Sequence, residues 1–182
     1  MTLDDTLALL RRQEARAEAG HEAAMLATYF PFIAEHPDCL LRSCLDGHLT
    51  ASAWVVDATR SRVLLTHHRK LNLWVQLGGH ADGEADLLAA ALREVREESG
   101  LTRVRAVSAE IFDVDRHRIP ARKTEPEHWH FDVRFLIEAD ASEPVIVSDE
   151  SHTVAWVTFA EATRLNPEES IARMVRKTQP RA

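Results

Sequence analysis

"LGGHADGEADLLAAALREVREESGL", residues 77–101, carries Glu94, Glu97 and Glu98 together, behind Arg93 and in front of Gly100. At about 100° per residue the three glutamates share an arc of about 100°, with Leu88, Leu92, Val95 and Ser99 on the opposite side. Asp86 reads as the N-cap and Gly100 as the residue that ends the last turn, so the stretch predicts a bounded helix with a core face and a carboxylate face. Like charges at this spacing repel, and a helix needs none of them. A solvated acidic face would account for the charge, but not for the "GGH" turn upstream or the glycine stop downstream. Hard oxygen ligands converging from one rigid element suit Mg²⁺, with Mn²⁺ as the alternative, beside substrate phosphates.

The segment "REVREESGL", 93–101, resembles the core of the Nudix box: arginine, glutamate, an apolar residue, any residue, two glutamates, any residue, glycine and an apolar residue. Gly79 stands where the box places its first glycine. The resemblance implies a Nudix fold over about 48–177, a mixed β-sheet sandwiched between helices, in α/β (α+β) class. It implies metal roles for Glu97 and Glu98, a further ligand or base in Glu94, and one more ligand in the Gly79 carbonyl. It also implies hydrolysis of a nucleoside diphosphate linked to another moiety, or of a related small diphosphate. The sequence departs from the box at Ala85, where the family carries a glutamate that braces the arginine. Glu84 and Asp86 flank that position and are expected to brace Arg93 instead.

Composition bounds the partners. A chain of 182 residues with 45% hydrophobic residues can build one real core. Its net charge of −7 argues against stable nucleic-acid or membrane-surface binding. A polyanionic substrate then needs metal ions or a locally basic pocket. Cys39 and Cys44 are too few and too close for a disulfide framework, and neither a signal peptide nor a membrane-length apolar run is visible. The expectation is a soluble, cytoplasmic protein.

Along the chain, residues 3–37 read as two helical segments, with Pro31 as a kink or stop. Residues 1–45 form an expected helical extension, structural or in a homodimer contact, and 46–182 the expected Nudix domain. The stretches 49–58 and 61–68 read as strands, as do 105–117 and 128–139, the last two joined by a proline-containing loop. After a strand at 152–159 comes a final helix, with Asn166 as N-cap, Pro167 at N1 and Glu169 completing a capping box.

Further site candidates follow from position. "THHRK", 66–70, offers Arg69 and Lys70 to a terminal phosphate, or is a solvated hairpin loop. In 128–135, His128, His130, Asp132 and Arg134 alternate with Trp129, Phe131, Val133 and Phe135. Asp113, Asp115 and His117 repeat the pattern on the expected partner strand. Paired polar faces would line a cleft in which His128, His130 and Arg134 contact substrate, or else face water at an edge. His117, His128 and His130 have the residue types of a zinc site without its spacings. Many Nudix proteins place an extra carboxylate before a strand such as 152–159; Glu150 is the choice there and Asp149 its rival. Trp74 stacks on a base or belongs to the core.

The leading reading is a Mg²⁺-dependent pyrophosphohydrolase. A nucleotide-binding or regulatory domain without hydrolysis is the alternative, favoured only by Ala85. An isomerase on the same fold would call for a cysteine in the site region, and neither Cys39 nor Cys44 falls there.

Overall fold

The computed structural model describes residues 1–17, 20–122 and 125–179. Residues 18–19, at the end of the predicted first helix, and 123–124, in the predicted proline-containing loop, lie outside the described residues. The elements run α1 (Leu3–Arg16), α2 (His21–Glu35), β1 (Gly47–Asp57), β2 (Arg62–His68), β3 (Leu73–Val75), β4 (Leu77–His80) and α3 (Leu87–Ser99). They continue with β5 (Val104–Ala106), β6 (Asp113–Ile119), β7 (His128–Ala139), β8 (Ser151–Thr158), α4 (Phe159–Leu165) and α5 (Glu169–Thr178). This is a mixed α/β fold. Its sheet has the strand order β3-β2-β1-β7-β5, with β4 pairing with β1, β6 with β7 and β8 with β2. Contacts group the residues into two compact units.

The first unit contains residues 1–52, 79–90 and 109–135. α1 opens on a capping box in which Thr2 and Asp5 satisfy each other's backbone N–H groups. α2 runs through Pro31 without ending, because the ring replaces one N–H on an exposed face and the helix continues to Glu35. Tyr29 is fully buried, with Oη 2.6 Å from the Asp115 carbonyl and 2.8 Å from that of Asp132. Its ring meets Phe131 edge-on, and Phe32 stacks on Phe131. β6 and β7 form the antiparallel hairpin expected, with Asp113 opposite Arg134, Asp115 opposite Asp132 and His117 opposite His130.

The second unit contains residues 53–78, 91–108 and 136–182. β2 is held antiparallel between the end of β1, with Val55 opposite Leu64, and β8, with Leu64 opposite Trp156. Trp54 is fully buried and donates its Nε1–H to Thr178 Oγ1 at 2.8 Å, tying β1 to the end of α5. Thr158 and Glu161 form a capping box for α4, a helix that alternation carried into the preceding strand had hidden. Asn166 is therefore the C-cap of α4, and α5 starts at Glu169 behind Glu168. The expected cap at Asn166 is corrected by one helix that ends there before the next begins.

The predicted strand 105–117 is two strands. Val107 N–H bonds to the Leu136 carbonyl and Phe112 N–H to the Arg134 carbonyl. Residues 108–111 thus loop out between neighbouring positions of β7, which periodicity alone does not reveal.

Candidate active site

The Asp86 carboxylate accepts the Ala89 N–H at 3.0 Å, as an N-cap does. Gly100 ends α3 at φ +69°, and a Cβ there would lie 2.8 Å from Ile146 Cβ, so glycine is needed for both conformation and space. Within the second unit the helix presents its carboxylates in graded burial. Glu97 is 63% exposed at its side chain, Glu94 15%, and Glu98 as a residue only 6%. The core face is therefore turned from the one expected: Val95 and Ser99 are buried, but Leu92 is only half-buried and Glu98 takes a core position.

Glu98 defines the electrostatics. Burial pushes its carboxyl up to about 8, and the neighbouring charges of Glu94, Glu150 and Glu97 push in the same direction. One Gly78 N–H, donated to Glu98 Oε2 at 2.9 Å, acts against this. Arg93 donates from Nη2 to Glu94 Oε1 at 3.0 Å, and its Nε lies 3.9 Å from Glu97 Oε1. Glu84 accepts the Asp86 N–H at 2.8 Å, while Asp86 caps the helix. Both flanking carboxylates thus make hydrogen bonds within the turn that opens α3. Ala85 offers its carbonyl to the buried Thr6 hydroxyl of α1 at 2.9 Å.

Glu150 stands in the loop before β8. Arg69 fastens this loop: its N–H binds the Glu150 carbonyl, Nε the Asp149 carbonyl at 3.0 Å, and Nη2 the Ser151 carbonyl at 2.7 Å. Arg69 was expected to bind phosphate; its guanidinium is instead occupied by backbone carbonyls. Lys70 is exposed in the turn that follows. Trp74 stacks on His67 with ring centroids 5.2 Å apart, and Asn166 Nδ2 holds its carbonyl at 2.9 Å.

Arg134 is corrected as a substrate-binding residue. It is 3% exposed, donates to Asp132 at 2.7 Å and Asp113 at 3.1 Å, and lies 3.4 Å from Asp115. The Thr50 and Ser52 hydroxyls also donate to Asp132, at 3.0 and 2.7 Å. This stretch of the polar hairpin face is a buried ion network, not a cleft wall. Further along the same face, His128 and His130 meet His48, with His80 alongside and His117 edge-on to His130. Burial lowers the His130 imidazole to about 2 and His80 to about 4, so both are neutral at pH 7. His48 was missed at the sequence level. The signal was the alternation His48, Thr50, Ser52, a polar face on a strand otherwise apolar. Gly79, half-buried in β4, belongs to this first unit with His128, His130 and Arg134, while Arg93, the three glutamates, Glu150, Arg69 and Lys70 belong to the second.

Residues 47–177 match the NUDIX domain family, and the chain belongs to it. It is a hydrolase acting on pyrophosphate bonds. Among solved structures, an Ap4A hydrolase from C. elegans in a binary complex is similar at TM-score 0.58 and 18% identity, covering 71% of this chain and 93% of that one. A NUDIX-family hydrolase from Clostridium perfringens gives 0.53 at 22% identity, covering 72% and 95%. The E. coli dihydroneopterin triphosphate pyrophosphohydrolase gives 0.54 at 15% identity, covering 71% and 92%. At these identities the likeness is one of fold. No curated protein matches the chain.

Proposed function

We propose that the chain is a Mg²⁺-dependent pyrophosphohydrolase that cleaves a nucleoside diphosphate linked to another moiety, or a related small diphosphate, with Mn²⁺ as the alternative ion. The observation that carries this is Glu98, a carboxylate buried at 6% exposure whose charged form is disfavoured by Glu94, Glu150 and Glu97, for which a cation is the natural counter-charge. The donor set is all oxygen, which fits a hard divalent ion. Glu94, Glu97 and Glu98 would hold it. Bound there, Mg²⁺ neutralises phosphate oxygens and lowers the pKa of its water.

The rest is the work of the chain's own groups. Gly78 N–H fixes the Glu98 carboxylate and so sets where the ligand oxygens point. Arg93 aligns Glu94 and Glu97 and offsets their repulsion. Glu150, on the loop that Arg69 fastens, is the acceptor for the proton of the attacking water. Lys70 is free to reach a terminal phosphate. A nucleotide sensor without hydrolysis is the second reading, favoured by Ala85 at the place of the family's glutamate. We place the protein in the cytoplasm, because Cys39 and Cys44 are free and buried and no helix among the described residues is long and apolar enough to cross a membrane.

The test is a screen of diphosphate-linked compounds with added Mg²⁺, including Ap4A, dihydroneopterin triphosphate and nucleoside diphosphate sugars, read by phosphate or mononucleotide release. Mg²⁺-dependent release that Glu98→Gln abolishes is the expected result. Tight nucleotide binding with no release across the panel would leave the sensor.

A further inference from the structure

We propose that His48, His128 and His130 bind a zinc ion through their three Nε2 atoms, at a site separate from the glutamate helix. His48 and His128 each point Nε2 at His130 Nε2, at 3.2 Å in both cases. Three imidazoles on a tetrahedral ion at 2.0–2.1 Å stand about 3.3 Å apart, so two of the three separations already match those of a ligand set. The three ligand atoms lie within 4.8 Å of one another.

The outer contacts fix the tautomers. His128 Nδ1 lies 2.9 Å from the Pro126 carbonyl and His48 Nδ1 3.4 Å from that of Cys44. A carbonyl only accepts, so each Nδ1 carries the hydrogen and each Nε2 presents a lone pair. Two lone pairs then converge on one His130 nitrogen, which carries at most one hydrogen. A shared cation resolves the arrangement and a single proton does not. Neutral imidazole suits Zn²⁺ and is a poor ligand for Mg²⁺.

The backbone is built to bring the strands together here. A Cβ at Gly47 would lie 2.6 Å from the Trp129 carbonyl, so only glycine lets this end of β1 come so near β7 between His128 and His130. Beside His48 and His128 is a cavity of about 30 Å³, lined also by His80, Arg42 and Glu125, with room for one water. His117 stays outside the set: it is exposed, and its ring is T-shaped to His130 at 5.3 Å between centroids. The ion would pin the start of β7 to the start of β1.

The experiment strips the full-length protein with a chelator and titrates it with ZnCl₂ and, separately, CoCl₂. One equivalent of zinc retained after desalting, and the visible absorption of tetrahedral cobalt, are expected. His130→Ala should weaken zinc binding more than about 100-fold, beyond the loss typical of an outer partner. Glu98→Gln and His117→Ala should leave it unchanged, so failure of the Mg²⁺ site and failure of this one are read apart. X-ray absorption on the zinc-loaded wild type guards against a His130→Ala protein that does not fold, with three imidazole nitrogens at about 2.0–2.1 Å expected. Zinc not retained by the wild type, or retained with oxygen neighbours alone, overturns the proposal.

Discussion

Glu98 is the residue whose behaviour most directly reports the candidate metal site. Its membership of the carboxylate face was legible in the spacing of Glu94, Glu97 and Glu98, but its burial was not, because helical periodicity does not say which edge of a polar arc the core covers. Two predictions belong here. Glu97→Gln and Glu98→Gln should each lower turnover by orders of magnitude and leave the fold intact; near-wild-type rates at saturating Mg²⁺ would remove both from the metal site. The second concerns pH in the metal-free protein. The Glu98 carboxyl titrates near 4.5 when unfolded and is pushed up to about 8 when folded. Between those values the folded state holds the extra proton, so stability falls as pH rises through that window. Thermal melts of chelated protein should show this decline, Mg²⁺ should reverse it, and Glu98→Gln should flatten it. A wild-type melt that rises across the window would contradict the burial of this carboxylate.

The β6–β7 hairpin shows where pattern reading succeeds and stops. Alternation placed Asp113, Asp115, Asp132 and Arg134 on one face, and the register bears this out. Alternation cannot tell a solvated polar face from a buried one, because what covers the face comes from elsewhere in the chain. Here Thr50 and Ser52 of β1 supply hydroxyls, and Tyr29 of α2 closes over the backbone. One arginine holds three carboxylates in this network. Arg134→Met should therefore destabilise the protein by about 3–5 kcal/mol, the range for stripping the partner from buried charge. Denaturant unfolding measures it, and a loss under about 1 kcal/mol, the size of a surface pair, would contradict the network's burial.

At the scale of the whole chain, the NUDIX match over 47–177 leaves α1 and α2 outside the family's span, and sequence reading gave them no more than a structural or dimer role. Their contacts are specific. The Thr6 hydroxyl holds the Ala85 carbonyl, at the position where the box departs from its pattern. Tyr29 caps two carbonyls of the β6–β7 hairpin, and Phe32 covers Phe131. Such pairings between distant segments leave no trace in local periodicity, so they were illegible beforehand. Deleting residues 1–37 would uncover Phe131 and leave the Asp115 and Asp132 carbonyls without that hydroxyl above a buried ion network. The truncated chain should aggregate or melt without cooperativity, because the apolar surface around Phe131 is exposed. Tyr29→Phe separates the two effects: it keeps the ring on Phe131 and removes only the hydroxyl, so it should destabilise by about 1–3 kcal/mol without aggregation. Light scattering and thermal melts on both variants decide the matter. A truncation that stays monodisperse, melts as the full chain does and hydrolyses substrate at the same rate would show that these helices are dispensable to the hydrolase.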